Sequence, residues 1–227
     1  MTIQAVVATP QFPQVFVFSG AFGVTTTGSV TAPRGATRVT VEAIGGGGAG
    51  FGAAATGSRS GGSGGAYARS INLAVTGGVT VVYYQAGRDG TQSWVNVGTN
   101  IAPTLSTAGC RASAGNAGAS GVAGTAQSGF VGTTSASSAG GTIGASAIGG
   151  GAGGAGATIA GAAAAGSGLT GGTDTTGMSL STQLMGNGNG GAFSIGGTAP
   201  GGSGGGSPTT GVNPAGAGGR VRIIFYG

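Results

Sequence analysis

Residues 37 to 50 read TRVTVEAIGGGGAG, and the change of character at Gly45 decides the fold. Up to Ile44, Arg38, Thr40 and Glu42 alternate with Val39, Val41 and Ala43, the period-two pattern of a strand with one wet and one packed face. From Gly45 onward the side chains stop. Glycine loses more backbone freedom on folding than any other residue, so such a block is either left unfolded or held by a dense net of backbone hydrogen bonds. The 58 glycines of the 227 residues crowd into two such stretches, 45 to 65 and 109 to 219, so this alternative governs most of the chain.

Composition favours the ordered option. Disordered chains are poor in apolar residues and rich in net charge, whereas this one is 39% hydrophobic and 5% charged. Within the glycine-rich tract Ile143, Ile148, Ile159, Leu169, Leu180, Leu184, Met185, Phe193 and Ile195 recur, which a flexible linker does not need. Collagen is excluded by the broken three-residue frame and the 7 prolines. No apolar run is long enough to span a membrane as a helix, and no signal-peptide pattern opens the chain. Export by the general secretory pathway is therefore not expected.

Working outward from residue 37, Val15 to Phe18 (VFVF), Ala66 to Leu73 (AYARSINL), Val79 to Tyr84 (VTVVYY), Ser93 to Val97 (SWVNV) and Arg220 to Tyr226 (RVRIIFY) read as strands. The turn at Thr76 to Gly78 predicts a hairpin between Ala66 to Leu73 and Val79 to Tyr84. Helices have little room, since glycine costs about 1 kcal/mol relative to alanine in a helix interior. The expected fold class is all-β: an antiparallel β-sandwich-like module with an inserted glycine-rich, polyglycine-II-like bundle and little or no helix. Its parts are an extended arm over 1 to 14, a module over 15 to 107 closed by 219 to 227, and the insertion over 108 to 218. Gly219 is expected to return to the sheet that Val97 leaves. A left-handed three-residue helix makes no internal hydrogen bonds, so such helices must bond to one another, and glycine at every third position, as at Gly115, Gly118, Gly121 and Gly124 or Gly150, Gly153 and Gly156, allows the approach.

The segments GSVTAPRGATRVTVEAIGGGGAG (28 to 50), SGGAYARSINLAVTGGVTVVYYQAG (63 to 87) and GAGGRVRIIFYG (216 to 227) carry a resemblance. A proline-bearing turn at Pro33 precedes an alternating strand that runs into a glycine block; a GGAYA-like strand start and a hydrophobic terminal strand follow. In this the chain resembles the glycine-rich domain of bacteriophage tail fibre and adhesin proteins. The resemblance implies packed polyglycine-II helices whose connecting loops carry host-receptor specificity.

Expectations about function follow from it. The chain is expected to be a virion fibre or adhesin subunit that attaches the particle to a host cell surface, with a structural virion component, such as a head decoration or a baseplate or tail part, as the second reading. Its partners would be other virion proteins, copies of itself in a homo-oligomer, a trimer by this reading, and a host surface polysaccharide or outer-membrane protein. Receptor contact needs exposed aromatics and hydroxyls on braced loops. The candidates are Trp94, Thr173, Asp174, Met178, Leu184, Met185 and Phe193, although packing is the commoner fate of Trp94, Leu184 and Met185. Phe12, Phe16, Phe18 and Phe22 are candidate anchors of the N-terminal assembly arm, whose first 14 residues hold no charge.

Other classes find little support. There is no histidine, and Glu42, Asp89 and Asp174 are the only carboxylates, far apart in sequence. No catalytic residue, cofactor site or metal site is expected from such a set. Eight arginines give a net charge of +5, but they are scattered without stacking aromatics, so nucleic acid is not expected as a partner. The single cysteine, Cys110, reads as a packed, inert thiol. Glu42 is expected on the wet face of its strand near Arg38 or Arg69.

Overall fold

The computed structural model describes residues 11–51, 61–117, 134–136 and 215–227. Among them the protein is all-β, with nine strands in two antiparallel sheets and no helix. One sheet runs in the order β1 (Gln14–Ser19), β9 (Arg220–Tyr226), β3 (Arg38–Ile44), β4 (Tyr67–Ala74) and β8 (Thr134–Ala136). The other runs β2 (Thr26–Thr31), β5 (Val81–Ala86), β6 (Ser93–Val97) and β7 (Gly109–Ala112).

Period-two patterning builds the core. Val39, Val41 and Ala43 of β3, Val221, Ile223 and Phe225 of β9, and Ala68 and Leu73 of β4 face Val82, Tyr84 and Ala86 of β5, Val95 of β6, and Cys110 and Ala112 of β7. Ser70 Oγ ties the layers by donating to the Gly109 carbonyl at 2.7 Å. Cys110 is a free, fully buried thiol in this layer.

Three features depart from the sequence expectations. β4 and β5 do not form a hairpin: they lie in different sheets, because Val75 N bonds the Thr37 carbonyl while Gly78 N bonds the Ala32 carbonyl, which carries the chain across the sandwich. Likewise β9 joins β1 and β3 rather than the sheet of Val97. β3 has no wet face beyond Arg38, since Thr40 and Glu42 are buried along with the apolar set. Three strands went unread as well. β2 carries Gly28 opposite Tyr84, where a side chain would strike the Tyr84 phenol, and β7 and β8 fall inside the expected insertion.

At one end of the sandwich the strands run on as extended glycine segments bonded to one another. Gly45 N donates to Ala66 O, Gly46 N to Thr91 O, Gly47 N to Ala217 O, and Gly48 N to Ser63 O. Three successive amides thus address three different segments, and the fourth returns to the first, which is the turn of a three-residue helix. Ser63 N to Asn116 O and Ala66 N to Ser113 O repeat the interval of three on the next pair of segments. The carbonyls are used too: Gly46 O accepts from Gly115 N and Gly47 O from Gly90 N. Side-by-side bonding of three-fold segments is therefore present at the glycine block that follows β3. The bulk of the expected inserted bundle lies outside the described residues.

Candidate functional site

The outward face of the first sheet collects the charged chemistry of the module. Glu42 of β3 stands directly across from Arg222 of β9 on one side and Arg69 of β4 on the other. Pairs directly opposite in antiparallel strands bring their side chains together. Glu42 Oε2 accepts from the Arg222 guanidinium, Oε1 accepts from the Tyr67 hydroxyl at 2.7 Å, and Arg69 Nε lies 3.6 Å from Oε1. Glu42, Arg222 and Tyr67 are each at most 2% exposed, so this cluster is part of the interior. The expectation of a wet Glu42 is corrected in its burial, while its neighbour Arg69 is the expected one. A buried carboxylate needs such partners to stay charged.

Toward the start of β3 the same face opens into a cavity of about 340 Å³ lined by Arg38, Thr40, Arg69, Ile71, Asn72 and Tyr226. A bulge shapes it. Val39 pairs with Leu73 and Val41 with Ser70, so Ile71 and Asn72 together oppose Thr40. Asn72 takes the left-handed φ of 56° that this irregularity needs, a conformation asparagine tolerates better than most residues. Two guanidinium groups, a phenol, an amide and a hydroxyl therefore border one recess with an apolar Ile71 wall. No family model matches the chain, and no curated protein matches it.

The sequence candidates fall differently. Trp94 is 6% exposed in β6, across from Arg111, and so presents no open surface. Thr173, Asp174, Met178, Leu184, Met185 and Phe193 lie outside the described residues. Of the four arm phenylalanines, Phe12, Phe16 and Phe18 pack against the chain's own core; Phe16 meets Phe225 edge-on at 5.9 Å, and Phe18 stacks on Tyr84 at 3.8 Å. Phe16 and Phe18 belong to the module because β1 pairs with β9 along its whole length. Phe22 alone of the four is open, at 70%. It tops a tight turn closed by reciprocal Ala21 and Val24 bonds and braced by Asp89 Oδ1, which accepts from Gly23 N at 2.9 Å.

Two buried groups set an alkaline limit. Burial, and secondarily the Glu42 charge, pushes the Tyr67 hydroxyl far above its ordinary 10.0 and the Cys110 thiol far above its ordinary 9.0. Burial raises Tyr84 in the same direction. The unfolded chain loses these protons first, so it binds fewer protons than the native chain and stability falls as pH rises. Stability is expected to be complete below pH 9.0 and to drop above it, each group steepening the slope by up to about 1.4 kcal/mol per pH unit. Urea midpoints measured from about pH 8 to about pH 11 check this, and Cys110→Ala should delay the onset toward the tyrosine range. A midpoint that stays level over that interval would contradict it.

Proposed function

We propose that this chain is a non-enzymatic virion fibre or adhesin subunit that attaches a phage particle to a bacterial surface, assembled as a homo-oligomer, a trimer by this reading, with other virion proteins. The observation that carries the reading is the run of sandwich strands into a cross-bonded glycine net. Such a net fixes backbone segments from several directions at once, and a rigid scaffold is what positions binding loops. The braced turn bearing Phe22 adjoins it, since Gly20 N donates to Gly219 O. Exposed aromatics on fixed loops are the usual means of gripping sugars and protein surfaces.

The test is binding of the purified, assembled protein to isolated bacterial envelope, alongside a variant lacking residues 173–185 and a Phe22→Ser variant. Saturable binding by the parent is expected, abolished by the deletion and weakened about tenfold or more by Phe22→Ser, the scale of a lost aromatic contact. A folded assembly that binds no envelope would remove the attachment role and leave the structural virion component without a receptor.

A further inference from the structure

We propose that the recess bordered by Arg38, Arg69 and Tyr226 is a binding site for an acidic saccharide unit, its anion, carboxylate or phosphate, held by the guanidinium groups. Glu42 is the only carboxylate of the first sheet's strands among the described residues with side chains, and it is committed below the surface to Arg222 and Tyr67. Glu42 carries one negative charge against the three guanidinium groups of Arg222, Arg69 and Arg38, so the recess keeps a positive excess even with Arg222 and Arg69 both paired to it. A guanidinium offers a planar fork of donors that matches an oxyanion in a way a point charge does not.

Shape and lining then narrow the ligand. Arg38 and the Arg69 partner Glu42 are four residues apart on β3, about 14 Å at the rise of a strand. The two arginines therefore border the recess from opposite ends with Thr40 between them. A volume of about 340 Å³ lies at the small end of ligand sites and suits one or two sugar rings rather than a polymer segment of many. Thr40, Asn72 and Tyr226 supply donors and acceptors for ring hydroxyls, and Ile71, 46% exposed, offers an apolar surface to a sugar face. The left-handed Asn72 is a non-glycine residue in an uncommon conformation at the wall of a recess, where such conformations tend to gather. None of its lining residues belongs to 173–185, so it stands or falls independently of envelope attachment through that segment.

The experiment titrates the full chain with glucuronate, glucose 6-phosphate and glucose while following the arginine Nε–H signals by NMR. The acids are expected to bind and to shift Arg38 and Arg69, and raised salt should weaken them. Arg38→Gln, at an exposed position, should weaken the acids about tenfold, the scale of one charge-assisted contact, while Arg34→Gln, outside the recess, should not. Ile71→Trp, which fills the recess without removing a charge, should also abolish binding. A response to only one of the two acids supports the site and identifies its anion. Equal binding of glucose, equal losses in Arg34→Gln and Arg38→Gln, or no response to either acid up to about 10 mM would each overturn the proposal.

Discussion

Replacing Gly115 with alanine is expected to remove a third or more of the protein's stability. A methyl group at this position would overlap the Ser63 carbonyl, with the Gly48 amide on its other side, so backbone from two segments encloses it. Backbone cannot rotate away as a side-chain tip can. Making room means parting the segment 113–116 from both 61–66 and 45–48, and with it the bonds from Ser63 N to Asn116 O and from Gly115 N to Gly46 O. Overpacking costs about 1–3 kcal/mol, and each buried donor left unmade costs about 1–3 kcal/mol more. Against a typical total of about 5–15 kcal/mol that is a large fraction, even after alanine's smaller unfolded-state entropy returns about 0.4–1 kcal/mol.

A comparison isolates the cause. Gly98 has a φ of 92° and nothing within 4 Å of an added Cβ, so Gly98→Ala carries only the left-handed backbone term, about 1–2 kcal/mol. Gly115 shows no left-handed φ, so its substitution carries only the close approach. Urea unfolding of the two variants should place the Gly115→Ala midpoint well below that of Gly98→Ala. Equal midpoints would mean that the glycine net contributes conformational freedom rather than contact. Gly46→Ala, which would strike the Arg88 carbonyl, should behave like Gly115→Ala.

The strands that announced themselves in the sequence are those with alternating, β-branched or aromatic content: β1, β3, β4, β5, β6 and β9. β2 was hidden because TTGSVT holds one apolar residue and a central glycine, and its strand character comes from lying against Tyr84. Cross-bonding at a three-residue interval is seen at Gly45 to Gly48, whereas the bundle expected over 108 to 218 lies mostly outside the described residues. The division of strands between sheets was not, because it depends on which amides the crossing segment 75–80 bonds. The recess was equally hidden, its two arginines and Tyr226 coming from three strands remote in sequence. A signal for the buried cluster did exist. Glu42, Arg69 and Arg222 each lie inside a strand with apolar or small neighbours on both sides, and opposite charges placed that way are suited to pair across a sheet.

That cluster bears the second large effect. Glu42→Gln preserves shape and volume but leaves the Arg222 guanidinium, 2% exposed, without its counter-charge. Breaking a buried ion pair from one side costs about 3–5 kcal/mol, because the surviving charge keeps its desolvation penalty and loses its compensation. Arg222→Met should be comparably damaging, since it strands the carboxylate with the Tyr67 hydroxyl and the more distant Arg69. Removing the polar groups together is a different experiment. The combination of Glu42→Met, Arg222→Leu and Tyr67→Phe takes away the charges and the hydroxyl that depend on each other, and its stability should return to within about 1–2 kcal/mol of the parent or exceed it. Denaturant unfolding of the two single variants and the triple variant gives the decision. Recovery in the triple variant would assign the single losses to stranded charge. A loss that merely accumulates from one substitution to the next would show instead that the cluster contributes net binding energy between β3, β4 and β9, beyond what close-packed apolar side chains supply there.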